Sequence, residues 1–273
     1  MKRNRLILLA AIFCSSTTLL NAQSTLDEQS GGSKQQPSEA PKEKSEIKKN
    51  IVKVNLMALG LKNYSFQYER VLTKHISVAL GVRTMPTGSL PLKSTIIDLV
   101  GTDNPDVTQT LTDLKVGNFA ITPEVRFYLS KKGYGRGFYV APYYRFAKFT
   151  SEELPIEFDA DGGGTNTIKL KGDVTTHSGG LMFGAQWQIG KMVMIDWWIL
   201  GGHYGVSKGT LSGVPSSSLS ANEQDEIRTI INDFENDIPL TKITADVSAN
   251  NVKAIVDGPW AGVRAGLTIG IRF

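Results

Sequence analysis

The sequence predicts an all-β chain, an eight-stranded antiparallel transmembrane β-barrel with a helix in its last extracellular loop. Three observations carry this. Apolar residues alternate with polar or small ones through eight segments, which is the period of a strand. Most segments run about ten residues, roughly what a tilted strand needs to cross a bilayer. No run of about 18 apolar residues occurs, so a transmembrane helix is excluded.

Strands are expected near 51–60, 64–72, 75–84, 118–130, 137–149, 168–189, 191–203 and 260–273. The last is clearest. Ala261, Val263, Ala265, Leu267, Ile269, Ile271 and Phe273 share one face, and Gly262, Arg264, Gly266, Thr268, Gly270 and Arg272 share the other. In 76–83, Ile76, Val78, Leu80 and Val82 oppose Ser77, Ala79, Gly81 and Arg83. In 119–129, Phe119, Ile121, Val125, Phe127 and Leu129 oppose Ala120, Thr122, Glu124, Arg126 and Tyr128. In 181–189, Leu181, Phe183, Ala185, Trp187 and Ile189 oppose Met182, Gly184, Gln186 and Gln188. Pro123 and Pro142 fall inside strands, where each removes a ladder donor. A bulge or a locally unpaired position is expected at each.

The connections alternate in length. Thr73-Lys74, Lys131–Arg136 and Gly190 are short, whereas 85–117, 150–167 and 204–259 are long; Leu61-Lys62 is a short exception among the outer ones. Outer-membrane barrels have short periplasmic turns and longer extracellular loops. A membrane barrel also turns its apolar face outward and fills its interior with polar side chains. The expected interior face carries Glu69, Glu124, Arg126, Arg145, Asp196 and Arg264, three acids and three arginines. Unpaired charges enclosed there would be costly, so they are expected to pair. Gly81, Gly184, Gly262, Gly266 and Gly270 share that face and leave room for long side chains.

Residues 1–22 read as a signal peptide. Lys2, Arg3 and Arg5 precede the apolar run Leu6–Phe13, and Ala22 offers a cleavage site. Their removal takes three basic residues and no acid, so the net charge falls from +4 to +1. The basic balance therefore gives little support to nucleic-acid binding. Cys14, the one cysteine, leaves as well. Residues 23–50 are rich in Ser, Gln, Lys, Glu, Pro and Gly, too polar to offset the entropy of ordering, and read as a disordered periplasmic tether. The barrel domain is expected over 51–273. Phe273 ends an amphipathic strand with Ile271, Ile269 and Leu267 two apart behind it. That pattern is similar to the C-terminal signal read by the outer-membrane assembly machinery.

Three stretches, 63–70 (NYSFQYER), 123–128 (PEVRFY) and 137–143 (GFYVAPY), resemble a family of uncharacterised outer-membrane barrels common in Bacteroidota. The resemblance covers about 51–149. It implies an eight-stranded barrel of the OmpA/OmpX size class and no established activity, so no catalytic residue is carried over. The loop 204–259 is longer than that family implies.

Residues for chemistry are sparse. His75, His177 and His203 have no metal-binding spacing. Gly205-Val-Ser207-Lys-Gly209 matches a nucleophile-elbow pattern, but no helix start follows. His177 and Ser178 are adjacent, so in a strand they point to opposite faces. Gly162–Gly164 reads as a loop tip. In the last loop, Ser220 and Glu223 form a capping-box pattern. Ile227, Ile230, Ile231 and Phe234 then recur at helical spacing. Ile243, Ala245 and Val247 alternate, as do Val252, Ala254 and Val256 beyond Asn250-Asn251, so a hairpin is expected. Ile227, Ile231 and Phe234 are a candidate interaction stripe, or the stripe packs on neighbouring loops.

The predicted function is a non-enzymatic integral barrel of the outer membrane of a Gram-negative bacterium, with a structural or surface-interaction role. Expected partners are outer-membrane lipid, the outer-membrane assembly machinery during biogenesis, and an extracellular protein or glycan that the sequence does not identify. No cofactor, metal or nucleic acid is expected. The alternatives are a lipid-modifying enzyme with a rim active site and a narrow pore.

Overall fold

The computed structural model describes residues 48–60, 62–89, 114–237 and 242–273, with backbone only over 234–237. The expected leader, most of the tether and most of the loop 85–117 lie outside the described residues. Among the described residues there are nine strands: β1 Asn50–Asn55, β2 Tyr64–Val71, β3 Ile76–Ser89, β4 Lys115–Tyr128, β5 Gly137–Asp159, β6 Thr165–Ile189, β7 Val193–Gly213, β8 Ile243–Ser248 and β9 Asn251–Arg272. Helix α1 spans Leu56–Leu59 and helix α2 spans Ala221–Asp237.

Strands β1 to β7 pair antiparallel in sequence order, β7 pairs with β9, and β9 pairs back onto β1. Eight strands thus close a ring, and β8 stands outside it as the hairpin partner of β9. The seam is sealed at one end by Asn50 and Phe273, which exchange backbone hydrogen bonds at 3.1 and 2.9 Å. At that end the turn before β5 folds under the ring. Gly133, Tyr134, Gly135 and Gly137 all have positive φ there, and Tyr134 packs against buried Ile51, Val71 and Met194.

Three expectations about length change. First, β1 stops at Asn55, whose side chain caps α1 by accepting from Ala58 N–H at 3.1 Å. Second, 150–167 is not a loop. Strands β5 and β6 continue through it to a tight turn in which Ala160 N–H donates to Gly164 O at 2.9 Å. Third, 204–259 is not one loop. Strand β7 continues to Gly213, and β8 and β9 form the expected hairpin.

Bulges explain why the longer strands escape a simple alternation. The β5–β6 register runs Ser151↔Gly172, then Leu154↔Leu170, one residue out of step. Inward residues of β5 are therefore odd up to Ala147 and even from Leu154 onward, because an extra residue flips the parity. The β7–β9 register slips likewise between Trp198 and Gly201. Inward residues change from Asp196 and Trp198 to His203, Ser207 and Leu211. At Pro123 and Pro142 the β4–β5 ladder lacks pairs but keeps its register from Ile121↔Phe146 to Glu124↔Tyr143. Both prolines face outward and are unpaired on the β4–β5 side only, since Pro123 pairs with Leu80 of β3 and Pro142 with Leu181 of β6; neither is a bulge.

Polarity divides the barrel at one level. Phe146, His177, Val206 and Pro259 are paired in one outward row, and Lys148, Thr175, Lys208 and Asp257 in the next. On one side of this boundary the outer face is apolar and exposed: Tyr68, Leu80, Phe138, Tyr144, Leu181, Phe183, Trp197, Tyr204 and Val263. On the other side it carries ion pairs, including Lys148–Asp173 at 2.9 Å, Lys169–Glu153 at 3.1 Å and Lys208–Asp257 at 3.5 Å. The inner face does the opposite. It is charged behind the apolar band. Behind the charged band it is apolar, where Leu154, Ile156, Phe158, Ile168, Leu170, Leu211 and Val252 form a core.

Helix α2 caps this second region, the head. Its N-terminus is a reciprocal capping box: Glu223 N–H donates to Ser220 Oγ at 3.2 Å, and Ser220 N–H to Glu223 Oε2 at 2.9 Å. Ile227 and Ile231 are fully buried in the head core with Ile243 and Val247. An interaction stripe on Ile227 and Ile231 is therefore corrected: these side chains have no surface to offer. The side chain of Phe234 lies outside the described residues.

Candidate functional site

The barrel lumen holds the molecule's chemistry. At its centre Lys53 Nζ donates to Glu69 Oε2 at 2.5 Å, to Asp196 Oδ2 at 2.7 Å and to Gln186 Oε1. Arg126 Nη1 donates to Asp196 Oδ2 at 2.7 Å, Gln186 Oε1 at 3.1 Å and Glu69 Oε2 at 3.2 Å. Its Nε reaches Glu124 Oε1 at 2.6 Å and its Nη2 reaches Gln67 Oε1 at 2.8 Å. Arg264 Nη1 joins from above, 3.3 Å from Glu124 Oε2. Lys53, Glu69, Arg126, Gln186 and Asp196 are completely buried.

The remaining oxygen lone pairs are used by neutral donors. Glu69 Oε1 accepts from Ser77 Oγ at 2.6 Å and Tyr128 OH at 2.7 Å. Asp196 accepts from Tyr139 OH at 2.8 Å and Trp198 Nε1 at 3.1 Å. Arg126 stacks over the Tyr139 ring at 4.5 Å, and Arg264 over Trp198 at 4.6 Å and Tyr143 at 4.8 Å. Three cations meet three carboxylates here, and hydrogen bonds fill the rest. That is the condition under which enclosed charges are tolerated. The packing needs absent side chains opposite the rings. A Cβ on Gly184 would stand 2.4 Å from Tyr139 Cζ and OH, and one on Gly262 would stand 2.7 Å from His203 Nε2.

Five of the six expected interior charges, Glu69, Glu124, Arg126, Asp196 and Arg264, belong to this network. Arg145 does not. It is inward and 6% exposed, but its expected carboxylate partner is absent among the described residues, because the three acids are already engaged below it. The third cation of the network is Lys53, which the expected set lacks. Its signal was a lone lysine between Val52 and Val54 on the inward parity of β1.

Above the network lies a cavity of about 70 Å³. Arg83, Arg145 and Arg264 line it, with Asn55, Ser65 and Thr122. Arg83 is held by Asn118 Oδ1, at 2.6 Å from Nη2 and 3.1 Å from Nε. Beyond the cavity, Tyr143 OH and His203 Nδ1 are 3.1 Å apart.

The other candidates are separated from one another. His177 faces outward, its Nδ1 2.5 Å from Tyr144 OH, while Ser178 faces inward and donates to Arg145 O at 3.5 Å. Ser207 lies within β7 rather than on an elbow, and its hydroxyl donates to Gly258 O at 3.1 Å. His75 Nδ1 is 3.0 Å from Tyr128 O in the turn between β2 and β3. Gly163 and Gly164 have positive φ at the β5–β6 hairpin tip. Among the described residues, no three His, Cys, Asp or Glu side chains are grouped to hold a metal ion. No protein-family model matches the chain, and no curated protein matches it.

Proposed function

We propose that the chain is an integral outer-membrane barrel whose strands cross the bilayer, with a non-enzymatic structural or surface-interaction role performed by its head. The observation that carries this reading is the double inversion of polarity at the Lys148–Thr175–Lys208–Asp257 row. A barrel immersed in water keeps its apolar face inside at every level. This one does so only above that row. Below it, a continuous belt of Phe, Leu, Tyr, Val and Trp faces outward, far beyond the apolar patch a water-soluble monomer exposes. Lipid is the solvent that suits that belt and water the solvent that suits the head.

The head supports the surface-interaction role because it is built as a unit. Asp159 N–H donates to Glu226 Oε2 at 3.2 Å, and Asp161 N–H to Glu223 Oε1 at 3.3 Å, tying the β5–β6 turn to α2. The outer side of α2 is polar, with Asp225, Thr229 and Asn232 exposed. A pore is disfavoured by the ion-paired network across the lumen. A rim enzyme built on His177 and Ser178 is disfavoured by their opposite faces.

Cell fractionation tests this reading. The protein is expected in outer membranes, resistant to carbonate extraction, with different gel mobility before and after boiling. Recovery as a soluble periplasmic protein with no mobility shift would overturn it.

A further inference from the structure

Counting lumenal charge by level leaves a surplus. The central network is neutral, with Lys53, Arg126 and Arg264 against Glu69, Glu124 and Asp196. Arg83 and Arg145 stand above it with no carboxylate of their own among the described residues. Arg145 is more than nine-tenths buried and its guanidinium has no hydrogen-bond or ion-pair partner among the described residues. Arg83 and Arg264 both lie close enough to repel it. A buried, unpaired guanidinium beside two others is unfavourable. All three line the cavity above the network.

From this geometry we infer that the cavity is a binding site for an oxyanion, a carboxylate or phosphate group, held by Arg145, Arg83 and Arg264. Guanidinium forks match the planar or tetrahedral oxygen array of such groups. Thr122 and Ser65 on the wall supply hydroxyls around it.

The wall beside the site suggests how the group is carried. Among the described residues, the edge of β9 opposite β7 is unpaired between Asp257, which bonds Lys242 O, and Thr268, which pairs with Asn55. The short helix α1 packs there instead of a strand. Met57 of α1, outward-facing Val82 and Ala265 line the same cavity as the inward arginines. The cavity therefore passes from a cationic interior to an apolar outer face. That shape suits an anionic head group on an apolar chain entering from the side. The side entry rests on the membrane reading, whereas the arginine site does not.

The test uses full-length protein refolded into dodecyl maltoside, titrated calorimetrically with inorganic phosphate and, separately, with dodecanoate. Saturable binding of either ligand is expected, weakened at least tenfold in Arg145→Gln and in Arg83→Gln and unchanged in Lys208→Gln. Binding of phosphate alone keeps the oxyanion site and makes a free anion its source. Preference for dodecanoate makes an amphiphile the source. Arg145→Gln removes an unpartnered charge, so without ligand it should melt no lower than the parent. Each variant's boiled and unboiled mobility reports assembly, and Arg83→Gln serves if Arg145→Gln fails to assemble. No saturable binding of either ligand, or equal affinity in parent and both arginine variants, would overturn the inference whether or not the protein proves to be membrane-embedded.

Discussion

The rings of Phe149 and Trp260 stand 5.1 Å apart, although they belong to β5 and β9, which are not neighbours in the sheet. Both residues are inward by parity, so their contact bridges the lumen. Below it lie Arg145 and the ion-paired network, and above it the apolar core of the head. The contact thus separates two interiors of opposite character, and each interior sits behind an outer face of the complementary kind.

The outer face below the boundary should not accept charge. Leu181→Arg or Phe183→Arg, both at positions about half exposed, should destabilise the barrel by about 2–4 kcal/mol if they lie near mid-bilayer. Lys171→Leu, in the head, should change little. Urea unfolding in lipid vesicles measures the difference.

The central network should be sensitive to half-deletion. Asp196→Asn leaves Lys53 and Arg126 short of a shared carboxylate, and removing one partner of a buried pair typically costs about 3–5 kcal/mol. Lys53→Met should cost a similar amount alone. Together the two should cost less than their sum, because each leaves the other's partner unpaired. Unfolding of the two single variants and the double variant in vesicles tests this coupling.

Ile231→Asp should open the head and spare the barrel. Ile231 is fully buried among Ile227, Ile243 and Val247, and a helix such as α2 draws most of its stability from packing of its apolar face. Protease added to intact cells should cut the variant between Gly213 and Ile243 and leave the parent resistant. The heat-modifiable mobility shift of the barrel should survive.

Two head carboxylates should titrate low. Hydrogen bonds from Lys115 and then Lys169 hold Glu153 below the usual glutamate value of about 4.5. Asp173 is held low by Thr150 and then Lys148. A depressed folded value means the stabilisation is present above the unfolded value and is lost as pH falls through the folded one. Carboxyl carbon NMR should show both groups titrating below their usual values, and Lys115→Met together with Lys169→Met should raise Glu153.

Legibility followed the alternation. The paired stretches 76–83, 119–128 and 181–189 kept a strict period of two, and their inward and outward faces were readable from it. The same parity places Glu69, Glu124, Arg126, Asp196 and Arg264 inside. The upper walls were not readable, because the bulge after Ser151 reverses parity and because their inward residues are apolar. Leu154, Ile156 and Phe158 therefore look like the continuation of neither face. The slip between Trp198 and Gly201 does the same to the glycine-rich run through Gly213. Parity puts Arg145 on the inward face, and counting charges gives it a partner that the fold does not. Which acid a guanidinium reaches depends on its height in the barrel, and counting carries no height. Lys53 is not legible as a network member because one inward cation on a six-residue strand gives no pattern.

The central claim is that the outer face meets lipid below the Lys148–Lys208–Asp257 row and water above it. Single cysteines introduced along β7 in a Cys14→Ser background, labelled with a fluorophore and reconstituted with brominated lipid, test it directly. The account predicts strong quenching at Trp197→Cys and Tyr204→Cys, weak quenching at Val206→Cys, and none at Lys208→Cys or Thr210→Cys. Equal, weak quenching at every position, from a protein that stays dispersed without lipid or detergent, would contradict it.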